Sequence, residues 1–526
     1  MKQKHASKLI EADEVAKLVN DGDTVITDGI THGVPEELFI SLERSFLETG
    51  HPRDLTLIAP GGPGDARGRG IDHFAHKGFI KRYSGSYLNL APKLAKMVLE
   101  EEIEGYIFPL GAYSHLLRDI AARRPGLITH VGLKTFIDPR LEGGKLNSKS
   151  REDFVEVITL HGKEWLFYKT FPIDVALIRG TTADEIGNMF MEKEAGLLSV
   201  LQMAQAARNS GGRVIAQVER ISAAHTLNPK AVRVPGILVE AVVVSRPENH
   251  QQTWKIQYDS SLSGESRVPG ITFRSAALDH RKVVGRRGVM ELQPGWVVNL
   301  GAGMSEFVAS VVWEEGLDNQ LTFTVEAGMI GGVPGSGLNF NTASNPDAII
   351  DVPSQFDLYD GGSNDAALLG FAQIDKHGNI NVSKLGNRIF GVGGFLDVAT
   401  TSKRRIHCGA FTAGDADIRV ESGKLAIVKD GETRKFVDKV DQVTVSGAYT
   451  LEVGQPVIVI TERAVFKLTK EGLMLVEIAP GVDVDKDILA QMEFKPNISE
   501  ETGQMPNGIF MDKPLNLRNR PPWLDP

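Results

Sequence analysis

The stretch VVNLGAGMSEFVASVVWEEGLDNQLTFTVEAGMIGG, residues 297–332, decides the fold class. It begins with a β-branched run at Val297–Leu300, passes through a glycine-bearing turn, and continues into a helical pattern over Glu306–Glu314 with its apolar residues on one side. A second β-branched run, Leu321–Val325, leads into another glycine-rich turn. Strands that alternate with helices in this way are typical of α/β proteins with a largely parallel sheet.

The same alternation extends through the chain, with strand patterns at residues 24–26 and 55–58 and a helical pattern at residues 35–46. In addition, residues 174–188, DVALIRGTTADEIGN, align without gaps on residues 365–379, DAALLGFAQIDKHGN. Six of the fifteen positions agree, whereas average composition gives about one by chance. The sequence therefore predicts two related open α/β domains, produced by internal duplication and built on largely parallel sheets.

The polar stretch 246–274 has little helical or strand periodicity, which favours a connection between the two domains. We expect a first domain at residues 1–245, a linker at residues 246–274 and a second domain at residues 275–526. The duplication is imperfect, because the second half has Glu326 at a strand end where the first half has Pro60 followed by glycines. This asymmetry points to the second half for chemistry.

The composition is that of a globular protein, with 526 residues, 42% hydrophobic, 24% charged and a net charge of −9. The mildly acidic balance, without a basic tail, argues against nucleic acid as the main partner. The apolar runs are shorter than the ~20 residues of a membrane helix, and residues 1–5 lead into no signal peptide. The single cysteine, Cys408, cannot form an internal disulfide, which favours a reducing compartment. Together with the short apolar runs, this predicts a cytoplasmic protein without a membrane partner.

Glycine turns after strands expose backbone N–H groups that suit an anion. The turn at Gly301–Met304 begins like a dinucleotide fingerprint, but Glu306 occupies the position of the third glycine, and no Walker loop occurs. Glu326 lies among apolar and glycine residues with no adjacent Lys or Arg in the sequence. It is either a solvated or capping residue, or a nucleophile for an activated acyl group, with the amides of Gly393 and Gly394 stabilising the oxyanion.

Two weaker candidates for chemistry lie elsewhere. His73 and His76 are spaced to share a helix face, but no third ligand accompanies them, so we predict no metal site. Cys408 is expected to be a buried strand residue rather than a thiol nucleophile.

Several segments, in this order, resemble the family I coenzyme A transferases, in particular the single-chain acetate/propionate type with fused α and β halves. The resemblance runs along nearly the whole chain and is strongest over residues 285–490. It rests above all on TVEAGMIGG at residues 324–332 together with GVGGFLDVATTSK at residues 391–403. The two segments together are specific to the family, although either alone is a weak signal.

The resemblance implies that Glu326 is the catalytic glutamate of a ping-pong exchange through a mixed anhydride and a glutamyl-CoA thioester. CoA is then a substrate, no cofactor is permanently bound, and an acyl-CoA and a carboxylate are the expected partners. Analogy with large α/β enzymes favours a homo-oligomer, dimer or tetramer. The remaining implied site residues are the CoA-contacting Gly301, Ala302, Gly303, Met304, Asn379, Gly391 and Lys403, and the oxyanion-hole residues Gly393 and Gly394.

The first half departs from the family where it is expected to wall the acyl pocket. Leu110 stands where a glutamine is expected, and Lys134 replaces the second glycine of a Gly-x-Gly. Asp28, His32 and Lys134 indicate a more polar substrate, unless they lie outside the pocket. Two other functions stay open: an acyl-CoA hydrolase that uses the same glutamate, and a CoA-binding relative without catalysis.

Overall fold

A computed structural model describes residues 7–523, so the segment of residues 1–5, for which no signal peptide is predicted, lies outside the described residues. The first of two large sheets has seven strands, all parallel, in the order β7-β6-β5-β1-β2-β3-β4. Its strands are β1 (Thr24–Thr27), β2 (Leu55–Ala59), β3 (Ile80–Gly85), β4 (Glu104–Ile107), β5 (Val175–Arg179), β6 (Arg213–Val218) and β7 (Ala241–Val244).

The second large sheet has ten strands in the order β11-β10-β9-β8-β12-β13-β14-β15-β16-β17. It is parallel from β9 to β14 and mostly antiparallel towards its edges. Its strands are β8 (Val297–Leu300), β9 (Thr322–Thr324), β10 (Met329–Ile330), β11 (Ala348–Ile349), β12 (Ala366–Leu369), β13 (Arg404–Cys408), β14 (Val457–Ile460), β15 (Ala464–Thr469), β16 (Gly472–Ile478) and β17 (Asn497–Gln504).

Helices cover the faces of both sheets, and three smaller strands form a flanking sheet, defined as Gly126–Thr129, Val155–Leu160 and Lys163–Lys169. The predicted α/β class with largely parallel sheets is confirmed, as are the strands at residues 24–26 and 55–58. The helices are α1 (Glu36–Thr49), α2 (Pro92–Leu99), α3 (Leu110–Ala121), α4 (Val200–Asn209), α5 (Ser260–Ser263), α6 (His280–Val289), α7 (Glu306–Glu314), α8 (Val352–Asp360), α9 (Phe395–Thr401) and α10 (Gly447–Glu452).

The two aligned segments, residues 174–188 and 365–379, make matching hydrogen bonds. Asp174 precedes β5 and accepts the Thr24 N–H at 2.8 Å, and Asp365 precedes β12 and accepts the Val297 N–H at 2.9 Å. In each segment an aspartate then closes a turn by accepting the backbone and side-chain N–H groups of the asparagine four residues later. These local matches support internal duplication, which stays an interpretation of the sequence.

Residues 246–274 contain α5 and pack on both halves of the chain. The Arg246 guanidinium pairs with Glu37 at 3.0 Å, and the Thr253 hydroxyl donates to Asn339 at 2.7 Å. The predicted domain boundaries stay a prediction, because the larger apolar core is continuous from the first sheet into the second half. None of the helices between residues 7 and 523 combines the length and apolar character that crossing a bilayer requires.

Candidate active site

A cavity of about 500 Å³, which we call the catalytic cavity, lies between the two halves at the carboxyl ends of the central parallel strands. Ligands of open α/β sheets bind at this edge, where strand ends and their loops converge. Its wall is largely apolar and contains no Lys, Arg or His among the described lining residues. The apolar lining residues are Ile30, Leu90, Leu110, Phe340, Leu369, Phe371, Ala372, Val382, Leu385, Phe390, Val392 and Phe395.

Glu326 lines this cavity two residues after β9 and is only 8% exposed. Its Oε2 accepts the backbone N–H of Gly394 at 3.1 Å. Burial raises the pKa of Glu326 to about 7, while the Gly394 hydrogen bond acts in the opposite direction. A single backbone N–H reaches the carboxylate, so this hydrogen bond offsets the desolvation only in part.

The loop before α9 brings Gly394 against the carboxyl group of Glu326. A Cβ at position 394 would lie 2.8 Å from the Glu326 Cδ and 2.6 Å from the Phe356 ring, so only glycine allows this approach. Gly393 differs from the sequence-based expectation, since its N–H donates to the Ser86 carbonyl at 3.0 Å. Of the two amides predicted to form an oxyanion hole, only that of Gly394 contacts Glu326.

The first half holds this loop through backbone hydrogen bonds. The Ser86 carbonyl, just after β3, accepts N–H groups from Val392 and Gly393, and the Leu110 N–H donates to the Gly393 carbonyl at 2.9 Å. At the start of α3, the Gly111 N–H also reaches the Asp397 carboxyl group at 3.3 Å. The position of Gly394 at Glu326 thus depends on both halves of the chain.

The turn at Gly301–Met304, which the resemblance implies contacts CoA, lies only partly in the cavity wall. Gly301 and Ala302 line the catalytic cavity, whereas Gly303 and Met304 are not among its lining residues. Glu306 also lines the cavity, and its Oε1 accepts the Gly303 N–H at 3.1 Å. The sequence signal for this contact is a glutamate three residues after Gly303, at the start of a helix, where its side chain can accept a backbone N–H of the preceding turn.

Two other predicted CoA contacts do not line the cavity. Asn379 is held in its turn by Asp375, and its side-chain oxygen accepts the Gly447 N–H at 2.9 Å. Lys403 precedes β13, at the amino end of the strand and so at the sheet edge opposite Glu326, and its ammonium pairs with Asp365 at 2.8 Å. Gly391, in contrast, lines the cavity and pairs through a β-bridge with Tyr87 of the first half.

Of the four departures in the first half, Leu110 lines the catalytic cavity and the other three do not. Asp28 is buried and accepts the Gly61 N–H at 3.1 Å, and burial raises its pKa to about 6. Lys134 pairs with Glu452 at the surface. A polar acyl pocket therefore cannot be argued from these residues.

His32 is the remaining departure and is fully buried. Its Nε2 lies 3.2 Å from the Asn341 carbonyl oxygen, and burial lowers its pKa to about 4. The imidazole is thus neutral at ordinary pH and holds the segment that carries Phe340 and Asn341, both of which line the cavity.

The other chemical candidates are outside the cavity. Cys408 lies fully buried in β13, as predicted, and burial raises the pKa of its thiol to about 12. His73 lies between the carboxylates of Glu36 at 2.9 Å and Glu43 at 2.5 Å, and His76 contacts Glu43 at 2.6 Å. Within residues 7–523, no cluster of three or more His, Cys, Asp or Glu side chains is arranged to hold a metal ion.

Comparison with known proteins agrees with this geometry. A family profile described as Coenzyme A transferase matches residues 9–245. Over 514 residues the chain is 45% identical to the caffeate CoA-transferase of Acetobacterium woodii, and the match covers 96% of this chain and 98% of that protein. The chain belongs to the coenzyme A transferase family. It is an enzyme of the CoA-transferase type, as the resemblance implied.

Other relatives of this CoA-transferase match over almost their whole length. The acetate CoA-transferase YdiF of Escherichia coli K12 is 40% identical over 511 residues, which cover 97% of this chain and 96% of that protein. The crystal structure of the acyl-CoA transferase YdiF apoenzyme from E. coli O157:H7 superposes with a TM-score of 0.92 at 38% identity over 97% of each chain. A thioester complex of the same protein with CoA gives a TM-score of 0.91, also at 38% identity and 97% coverage of each chain.

Proposed function

We propose that this enzyme transfers CoA between a short-chain acyl-CoA and a carboxylic acid through a covalent intermediate on Glu326. The observation that carries the proposal is a buried carboxylate that faces an apolar cavity and contacts one backbone N–H. Glu306, the other carboxylate in the cavity wall, is engaged as the cap of Gly303. Each of the two carboxylates accepts one backbone N–H, but Glu326 is the one that the resemblance matches to the family's catalytic glutamate, so we assign the nucleophilic attack to it.

The exchange proceeds through two substitution steps, each of which forms one bond and breaks one, and both steps are then reversed by the acceptor acid. A carboxylate oxygen of Glu326 attacks the thioester carbonyl, the C–S bond breaks, and CoA departs as the thiolate. The acyl group is then joined to Glu326 as a mixed anhydride. The thiolate then attacks the glutamyl carbonyl, which forms a glutamyl-CoA thioester and releases the first carboxylate. An acceptor carboxylate reverses both steps. One thioester replaces another, so the cycle requires neither ATP nor a permanently bound cofactor.

Gly394 is proposed to stabilise the glutamyl oxyanion. When thiolate attacks the Glu326 carbonyl, negative charge develops on a glutamyl oxygen, and the Gly394 N–H is 3.1 Å from Oε2 in the resting structure. A donor held at that distance in an apolar cavity stabilises the charge without reorganisation. We assign Gly393 a supporting role, since its N–H is used by Ser86.

The cavity favours monocarboxylic acids with an apolar body. A second carboxylate on the acid would be buried without a cation among the described lining residues, and an unpaired buried charge is costly. Acetate and propionate fit this requirement, and the two relatives named above are an acetate and a caffeate CoA-transferase. Acetate and caffeate are both monocarboxylates but differ in size, so the size of the apolar body is the property to test.

The function is tested by incubating the enzyme with acetyl-CoA and a panel of acids, from acetate and propionate to succinate and a cinnamate, and measuring each acyl-CoA product. We expect new acyl-CoA only with monocarboxylates, and loss of all products in Glu326→Gln but not in the exposed control Glu500→Gln. Release of free CoA without an acceptor acid would instead identify a hydrolase, and CoA binding without turnover would identify a non-catalytic relative.

We further propose a cytoplasmic homo-oligomer. Cys408 is a free, fully buried thiol, which is compatible with a reducing compartment. Large α/β enzymes commonly associate through symmetric surfaces. Sedimentation equilibrium that gives the mass of a single 57.3 kDa chain at micromolar concentration would refute the oligomer.

A further inference from the structure

A second cavity, which we call the sheet-face cavity, lies in the first half on one face of the parallel sheet. It has a volume of about 180 Å³, and it is enclosed by the sheet, by α3 and by the flanking sheet. An apolar cavity of about 150 Å³ is large enough to hold one benzene molecule. The sheet-face cavity thus has room for a single small ring or a short alkyl acid.

Its floor carries a polar row that a helix-covered parallel sheet does not need. Thr24 of β1, Thr56 of β2 and Arg82 of β3 are register partners on adjacent strands, and all three line the cavity. Within residues 7–523, the hydrogen bonds of Thr24 and Thr56 are made by their backbone groups and not by their hydroxyls. The row therefore presents two free hydroxyls beside a guanidinium.

Two cations line the sheet-face cavity, and each is paired with a carboxylate that is about half exposed. Arg82 pairs with Glu104 and with Glu152 at 2.8 Å, and the Glu152 side chain is 54% exposed. Lys169 pairs with Glu156, whose side chain is also about half exposed. An ion pair with a half-exposed carboxylate contributes little free energy, so a ligand carboxylate can take the place of Glu152 while Glu104 stays on Arg82.

The walls are aromatic. Phe108 contacts the rings of Tyr113, Phe154 and Tyr168 edge to face, with centroids 5.9 to 6.3 Å apart. Edge-to-face packing favours a further ring over an aliphatic chain of equal volume. We propose that the sheet-face cavity binds a small aromatic carboxylate, with its carboxylate on Thr24, Thr56 and Arg82 and its ring among Phe108, Phe154 and Tyr168.

The bound molecule would contact the helix that positions the catalytic loop. Tyr113 and Leu116 of α3 face the sheet-face cavity, whereas the first residue of the same helix, Leu110, holds the Gly393 carbonyl. This site is separate from the catalytic cavity, since the two share no lining residue.

The test uses the full-length enzyme and 4-fluorobenzoate as the probe, followed by ¹⁹F NMR with and without saturating CoA. Because the catalytic cavity also favours apolar monocarboxylates, saturating CoA is used to occupy that cavity. We then expect one remaining site with a dissociation constant of about 1 mM or lower, and weaker binding of the neutral 4-fluorobenzamide. Thr56→Val should weaken binding by about tenfold, because it removes one hydrogen bond to a charged group. Leu116→Trp should abolish binding by filling the cavity.

Thr159→Val, an exposed threonine on the flanking sheet, is the matched control and should bind as the wild type does. The proposal is overturned by an absence of binding in the presence of saturating CoA, or by equal binding to wild type and Thr56→Val. The Thr56→Val comparison stands on its own if Leu116→Trp does not fold. Failure of this site leaves the transferase reaction at Glu326 unaffected.

Discussion

Replacing Gly394 with alanine tests how closely the loop before α9 must approach Glu326. The new Cβ would lie 2.8 Å from the Glu326 Cδ and 2.6 Å from the Phe356 Cζ, whereas ordinary contact begins at 3.4 Å. The glutamate and the loop must therefore separate by at least 0.6 Å. Since a 1 Å misplacement at a reacting group costs about 100-fold, a separation of 0.6 Å or more costs on the order of 15- to 100-fold in rate.

The assay measures kcat and KM for propionyl-CoA formation from acetyl-CoA and propionate. We expect kcat to fall by the stated factor with a smaller change in KM, since the cavity wall at Gly301 and Ala302, which the resemblance implies contacts CoA, is not altered. Gly503→Ala is the control, because its Cβ would meet no atom within 4 Å. Gly394→Ala with wild-type kcat would refute the reasoning that the Gly394 amide must lie against Glu326.

Three further predictions concern charged groups inside and outside the site. Because burial raises the pKa of Glu326 to about 7 and the nucleophile must be ionised, kcat/KM should fall tenfold per pH unit below about pH 7, and a profile flat to pH 5 would contradict this. Burial, together with the nearby Asp360 and Glu326, raises the pKa of Asp397. The neutral Asp397→Asn should therefore keep kcat within about threefold. Asp397→Leu removes the acceptor of the Gly111 N–H and should lower kcat by about tenfold. Lys403→Ala should leave the KM for acetyl-CoA unchanged, because this exposed ammonium pairs with Asp365 at the opposite sheet edge; a tenfold rise in KM would restore it as a CoA contact.

The elements that depend on local pattern could be predicted from the sequence. Helix α7 begins and ends at Glu306 and Glu314, as the apolar spacing indicated, because Val308, Val311 and Val312 are buried on one side. The strand before Glu326 and the glycine turn after it are also local features. Glu326 itself is predictable because the surrounding glycines allow backbone amides and a substrate to approach its carboxylate, and because it matches the catalytic glutamate of the family that the sequence resembles.

The contacts across the two halves could not be predicted in the same way. Ser86 takes the N–H of Gly393, more than 300 residues later in the chain, and no periodicity signals such a pairing. The aromatic and apolar wall contributed by Tyr87, Leu90 and Leu110 is likewise assembled from separate loops. For Asn379 the sequence pattern, an Asp and an Asn four residues apart, is explained by a local turn and gives no separate signal of a CoA contact.

The central claim is that Glu326 carries the acyl group and then CoA. The most direct measurement incubates the enzyme with acetyl-CoA in the absence of an acceptor acid, reduces it with borohydride, and maps the product by peptide mass spectrometry. A glutamyl thioester is reduced to an alcohol, so the account predicts that residue 326 alone loses one oxygen and gains two hydrogens. An unmodified Glu326 in an enzyme that still forms propionyl-CoA from propionate would contradict it.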